Sequence, residues 1–328
     1  MPTAVSYPFG KKSFSGPNTL KYGLLNKKKI CFRGWVPPIN VTPPAITGNR
    51  WIGQTLSTTN GEWDDAGSTI SAYTYQWKRN GAVIVGATAI TYVLVAADGG
   101  TTITCTVTAI NMGGGTSAET AAVSAMSPSK SFIEGRTAVT AGTTTHTAVS
   151  FGEIAPAGEK RYVVVCIAYE DLSSARTITS VTVGGIAATR VIRSQADASL
   201  SGSEIWIADV PTGTSGTISF TSSANRTSIS VYRVMNITSA TATSTAIIAT
   251  SGNGPANLSV TTGDVVLAVQ ATFGTTDVTF TAVTEDYDVT AGSFHRGASG
   301  SSIAATTGTL GVNSSPVSGR QLCVAAFR

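Results

Sequence analysis

The sequence predicts an all-β protein in which an extended N-terminal arm precedes two β-sandwich domains. Three observations lead there. Short alternating or apolar strings, separated by Gly, Ser, Thr and Asn turns, run along most of the 328 residues. Charged residues make up 12% and hydrophobic residues 42%, a balance that suits a packed sandwich better than a solvated Ser/Thr stalk. No window sustains a helical period, and no apolar run reaches the roughly 20 residues of a membrane span. The length allows two or three domains. The expected division is an arm over 1–41, a first sandwich over 42–126, a linker over 127–136 and a second sandwich over 137–328.

The arm is set apart by charge. Lys11, Lys12, Lys21, Lys27, Lys28, Lys29 and Arg33 fall within 1–41 with no carboxylate, leaving 15 basic and 18 acidic residues for the rest of the chain. Prolines from Pro2 to Pro38 discourage regular structure, and Tyr7, Phe9, Phe14, Tyr22, Phe32 and Trp35 are scattered between them. Such a segment suits docking along an acidic partner surface. Lys11, Lys12, Lys27, Lys28, Lys29 and Arg33 would supply the charge, and Trp35 an aromatic anchor. Nucleic-acid or membrane contact and a solvated tail are the competing readings. A secretory signal fits poorly, because Ser6–Leu25 is broken by Pro, Gly, Ser and Lys.

Residues 51–126 read as an immunoglobulin-like sandwich. Tyr75 and Trp77 share one face of a strand, with Gln76 and Lys78 on the other, and Asn80-Gly81 supplies a turn that tolerates φ > 0. Ile103–Ala109 alternates in the same way behind the corner Asp98-Gly99-Gly100, with Tyr92 on the connection. The order Gly53-Gln54-Thr55-Leu56, Gly61-Glu62-Trp63, Tyr75-Gln76-Trp77, Gly86-Ala87-Thr88, Tyr92, Asp98 and Ala109-Ile110-Asn111 resembles the bacterial and phage Ig-like repeats of surface proteins and virion appendages. The resemblance implies display and interaction, and it brings no catalytic residues with it.

The region from Phe132 to Arg328 reads as a larger unit of about ten strands, a jelly-roll-like double sheet. Arg161–Tyr169 is apolar on both faces, as a central strand would be. Ile178–Val183 turns at Gly184-Gly185 into Ala187–Ile192. Glu204–Ala208, Ile218–Thr221, Thr227–Val234, Val265–Ala271, Val278–Val283 and Leu322–Phe327 continue the series. Val181-Thr182-Val183-Gly184-Gly185, Ile205-Trp206-Ile207-Ala208, Pro211-Thr212-Gly213-Thr214 and Ala325-Ala326-Phe327-Arg328 are similar to strings in β-sandwich domains of tail and appendage proteins from phages of alphaproteobacteria. That similarity implies a virion surface protein.

No catalytic residues, cofactor or metal are expected. His146 and His295 read as surface residues without metal-ligand spacing. Gly297-Ala298-Ser299-Gly300-Ser301 lacks the strand-to-helix setting of a nucleophile elbow and reads as a loop. Glu170-Asp171 and Glu285-Asp286-Tyr287-Asp288 could offer oxygen to a hard cation, although solvated turns are the simpler reading. Cys105 has no partner cysteine on the strand around Trp51–Leu56, so the first sandwich is expected to hold by packing alone. Cys166 and Cys323 read as buried thiols. Cys31, in the arm, is the candidate for an intersubunit disulfide.

Together these readings imply a non-enzymatic phage virion structural protein, a decoration or fibre on capsid, collar or tail. It would be made in the host cytoplasm without a signal peptide and anchored by its arm. Its expected partners are other virion proteins, further copies of itself and host-surface glycans, rather than a membrane or nucleic acid. The alternative is a carbohydrate-binding adhesin or receptor-binding tail fibre, with Trp51, Trp63 and Tyr287 as aromatic platforms.

Overall fold

The computed structural model describes residues 35–139, 141–156, 159–170, 177–194, 201–249, 254–293, 295–317 and 319–328. Residues 35–328 form one compact unit. The described chain contains β-strands and a single 3-10 turn, with no α-helix among the described residues.

The first ten strands are β1 (Ile39–Thr42), β2 (Ile46–Thr47), β3 (Thr55–Thr58), β4 (Glu62–Asp64), β5 (Ala72–Arg79), β6 (Ala82–Val83), β7 (Thr91–Val93), β8 (Thr102–Asn111), β9 (Gly114–Glu119) and β10 (Val123–Ser124). Sheet β10-β8-β5-β6, with β9 also on β8, packs against β2-β3-β7. The alternation in β8 buries Ile103, Cys105, Val107 and Ala109 and turns the threonines outward. These side chains surround the fully buried Trp77, whose ring stacks on Tyr92 at 5.6 Å and whose Nε1 donates to Ala89 O at 2.9 Å. Asn80 (φ 47°) and Gly81 (φ 78°) close the β5–β6 hairpin, both in the left-handed region.

Nine strands follow: β11 (Ser129–Ala138), β12 (Gly142–Ser150), β13 (Arg161–Glu170), β14 (Ile178–Val183), β15 (Ile186–Ala187), β16 (Thr189–Ser194), β17 (Ser201–Asp209), β18 (Ser215–Ser222) and β19 (Arg226–Met235). Eight more complete the chain: β20 (Ser244–Ala249), β21 (Ala256–Val260), β22 (Val265–Phe273), β23 (Thr279–Thr281), β24 (Thr284–Ala291), β25 (His295–Ile303), β26 (Gly308–Ser315) and β27 (Gln321–Phe327). The expected linker over 127–136 is corrected here. Most of it is β11, paired with β19 along its length, with a bulge at Ile133.

The expectation of one larger double sheet is also corrected. The region builds two sandwiches, and each is made of an inner five-stranded sheet and a smaller outer one. The first pair is β11-β19-β13-β17-β16 over β12-β18-β14-β15, and the second is β20-β27-β22-β25-β24 over β21-β26-β23. Strand order is the same in both once β15 is set aside. A β-bulge recurs at the same place, opposite Trp206 and Ile205 in β16 and opposite Gly300 and Ser299 in β24. The C-terminal region is therefore one topology used twice.

The two inner sheets pack face to face, giving four layers and three apolar interiors. Val163, Val165 and Ile167 face the first outer sheet, while Val164, Cys166 and Ala168 of the same strand meet Val265, Leu267 and Val269 of the second inner sheet. Val266, Ala268 and Val324 face the last layer. Strands covered on both sides cannot alternate in polarity, which is why β13, β22 and β27 read as continuous apolar runs. Contacts across the central seam are reciprocal: β17 lies on β27 as β25 lies on β19, and β13 meets β22. This is the pattern of an isologous two-fold interface, here within one chain.

Trp77→Ala should destabilise the first ten-strand unit by about 3–5 kcal/mol, whereas Cys105→Val should change little. Denaturant titration of the full chain followed by tryptophan fluorescence measures both. Leu267→Ala, at the seam, should cost about 2–5 kcal/mol and lower the melting of both C-terminal sandwiches in one transition. Separate transitions in calorimetry would contradict a shared core.

Candidate functional site

Lys11, Lys12, Lys27, Lys28, Lys29, Arg33 and Cys31 lie outside the described residues. Trp35 is described and is 58% exposed. The three aromatic candidates are not open platforms. Trp51 is buried at 4% exposure, Trp63 is half-buried with Nε1 donating to Asn60 O at 2.7 Å, and Tyr287 stacks on Phe132 at 6.0 Å. Cys105, Cys166 and Cys323 are free and buried, and burial pushes the Cys105 thiol up to about 11.

Both histidines, expected at the surface, are buried. His295 lies in the seam, with Nδ1 3.5 Å from Glu170 Oε2 and Nε2 3.4 Å from Ser228 Oγ. The order carboxylate, imidazole, hydroxyl is that of a hydrolytic triad, but the packing is not. Ser228 is buried against Gly297, where an added Cβ would fall on Ser228 Oγ and within 2.9 Å of Ala168 Cβ. A nucleophile needs room for a reacting atom about 3 Å away, and this hydroxyl has sheet backbone there instead. The Gly297–Ser301 string, expected as a loop, is the core of β25. Its small residues allow the close approach of the two sheets.

Polar contacts continue along this half of the seam. Tyr232 OH donates to Ser299 Oγ at 2.8 Å and lies 3.1 Å from Asp286 Oδ2. Ser299 Oγ bonds Ser230 Oγ at 2.7 Å, Ser301 Oγ bonds Asp286, and Lys130 Nζ donates to Ser301 Oγ at 2.6 Å. Aligning the central strands through Cys166 and Val269 gives the counterparts in the other half. Ser299 corresponds to Ile205, Ser301 to Ile207, Ser230 to Cys323 and Tyr232 to Ala325. Asp286, on the bulge, corresponds to Val191. One half of the seam is hydroxyl-lined and the other apolar. Its groups are bonded to one another and packed, so it acts as a structural joint.

A second buried carboxylate sits inside the first of the two C-terminal sandwiches. Glu204 accepts from Trp206 Nε1 at 2.8 Å and Tyr169 OH at 3.2 Å, with Arg193 Nε at 3.5 Å and Arg190 Nη1 at 3.9 Å. Burial raises its pKa above the usual carboxylate range, and the two guanidiniums and the Trp and Tyr donors only partly oppose this. At the surface, Asp288 and Asp277 hold Arg296 at 2.5 and 2.6 Å, which occupies the acidic 285–288 stretch with an internal ion pair. Among the described residues no group of three or more His, Cys, Asp or Glu side chains is placed to hold a metal ion.

The arrangement most open to a partner is the outer edge of β5. Hairpin strand β6 pairs only with Lys78 and Arg79, so among the described residues Ala72–Gln76 has β8 on one side and no strand on the other. The register fixes which backbone groups face that open side. Cys105 exchanges bonds with Thr120, away from β5, so its neighbour Trp77 points outward, donating to Ala87 O at 3.0 Å and accepting from Ile84 N at 3.0 Å. Two and four residues back, Tyr75 and Tyr73 point the same way. Their N–H and C=O groups open onto a groove of about 720 Å³, bounded across from the strand by Thr88, Ala89 and Ile90. Tyr75 OH donates to Asn60 Oδ1 at 2.7 Å, which ties the groove to the segment carrying the exposed Glu62, Asp64 and Asp65. Asn80-Gly81 marks the hairpin in the sequence, but only the structure shows that its return strand β6 is two residues long and leaves the outer side of Ala72–Gln76 without a described strand.

Family models, curated proteins and solved structures were compared with the chain, and none matched.

Glu204→Gln tests the buried carboxylate. A group whose pKa is higher folded than unfolded stabilises the fold at low pH and loses that contribution as pH rises through its folded titration. The wild type should therefore lose stability relative to Glu204→Gln as pH rises above the ordinary glutamate range of about 4. Parallel stability curves above that range, from urea titrations at each pH, would contradict the assignment.

Proposed function

We propose that this chain is a non-enzymatic structural protein of a phage virion, a decoration or fibre element on capsid, collar or tail. It is anchored by residues 1–41 and displays an immunoglobulin-like unit and the duplicated C-terminal β-sandwiches on the particle. The observation that carries the reading is the charge split. All charge in 1–41 is positive, while the remainder holds more carboxylates than bases. The Trp-centred packing of β5 against β8 supports the immunoglobulin-like reading, and so does the resemblance of residues 51–126 to phage Ig-like repeats. Multiple copies on a symmetric particle would turn weak individual contacts into avidity. Cys31 would be the thiol available for bridging to a neighbouring subunit. The adhesin alternative is weakened by the burial of Trp51 and the engagement of Trp63 and Tyr287.

Replacing Lys27, Lys28 and Lys29 together with Glu should abolish incorporation into particles while the melting of the β units stays unchanged. Single reversals should be nearly silent, since one exposed pair contributes at most about 1 kcal/mol. Co-sedimentation with particles measures this, and normal incorporation of the triple variant would overturn arm-mediated anchoring.

A further inference from the structure

We infer that the open edge of β5 accepts an added β-strand, and that the strand is supplied by the basic N-terminal segment, residues 1–34, of a second copy of this chain. The inference rests on the anchoring role proposed above and names a partner for the arm.

Two independent features of the site define what it can take. The first is its main chain. Tyr73 and Tyr75 present alternate N–H and C=O groups along an edge that neither β6 nor the 86–90 segment reaches. An exposed row of this kind is satisfied by an extended polypeptide, through the same ladder that joins neighbouring strands. The groove is bordered by Thr74, Gln76, Thr88 and Ile90, so it has no charge of its own to repel or neutralise. Natural edges are usually blunted by Lys, Pro or an inward-pointing charge, and Ala72–Gln76 carries none of these.

The second feature is the rim. Asn60, held by Tyr75, begins the run Asn60-Gly61-Glu62-Trp63-Asp64-Asp65, which carries three exposed carboxylates. Glu62 accepts from Thr42 Oγ1, and Asp64 and Asp65 accept from Ala66 N and Gly67 N, but none of the three forms an ion pair with another described residue. An extended occupant bearing lysines would complement this rim. Within this chain, residues 1–34 have that composition: seven basic residues, no carboxylate, and Leu, Ile, Tyr and Phe between them. Strand addition without reciprocal exchange is heterologous, so it propagates into rings or rows, the form a repeated surface element takes.

Sedimentation velocity of the full chain across a concentration and salt series provides the test. The chain should self-associate, and salt should weaken the association, because exposed charges are screened beyond about 8–10 Å at 0.10–0.15 M. Glu62→Gln with Asp64→Asn and Asp65→Asn keeps the turn acceptors and should weaken association by about tenfold or more. Reversing Lys27, Lys28 and Lys29 to Glu should do the same. Combining that reversal with Glu62→Lys and Asp65→Lys should restore association to within about threefold of wild type. Amide hydrogen exchange supplies the main-chain readout, with Tyr73 and Tyr75 becoming protected only on association. A chain that stays monomeric, a combined variant that is not rescued, or unprotected Tyr73 and Tyr75 amides would each overturn the proposal. If the arm reversal blocks particle incorporation although the full chain does not self-associate, anchoring stands and this partner assignment falls.

Discussion

The face-to-face burial of the two inner C-terminal sheets is the constraint on which the rest of the molecule depends. β13, β22 and β27 have no polar face to turn toward water, so neither sandwich can present its inner sheet to solvent. Val164, Cys166, Leu267 and Val269 are fully buried only because the partner sheet covers them. Burial stabilises by roughly 25 cal/mol per Å² of apolar surface, and a five-stranded face exposes enough of it to make separation expensive. The first and last layers then close the outer faces, and Thr and Ser on their outward sides keep the assembly wet without charge.

Repetition explains the shape of this seam, and divergence explains its character. Two copies of one topology meet through equivalent strands, as in a homodimer, yet the two halves no longer match. Ile205, Ile207, Val191, Cys323 and Ala325 make one half apolar, while Ser299, Ser301, Asp286, Ser230 and Tyr232 make the other polar. The half-buried carboxylate of Asp286 is met by Tyr232 and Ser301, so the face that carries it has a single satisfactory complement. An identical face from another copy would leave these groups unpaired. The polar half therefore fixes register and partner, and the apolar half supplies most of the attraction.

Much of the architecture was legible because its signals are local. The alternation of Ile103–Ala109, the Asn80-Gly81 and Gly184-Gly185 turns and the two-faced apolar run Arg161–Tyr169 each follow from strand geometry. The duplication was not legible, because equivalent positions share polarity only on the central strands: Arg161–Glu170 and Asp264–Phe273 align, whereas Ile205 faces Ser299 and Val191 faces Asp286 as equivalents. β25 was missed for a related reason. Gly297, Ser299 and Ser301 have weak strand propensity, and only their close approach to Ser228 and Ser230 makes small residues the right ones there. His295 and Glu170 read as surface groups because nothing nearby in the sequence shows that a second sheet will cover them. For the site, the arm's charge was plain from composition, whereas the open β5 edge needed the register of β8 to reveal it.

The described fold places stability in a rigid stack, and the interactions proposed for it fall on the open β5 edge and the basic arm. Native-state hydrogen exchange, resolved strand by strand, tests the structural claim beneath that account most directly. Amides of β13, β17, β22 and β27 should all exchange only through one global opening, with the same free energy and the same denaturant dependence. Exchange of β22 and β27 at a free energy well below that of β13 and β17 would show two independent sandwiches and contradict the shared seam.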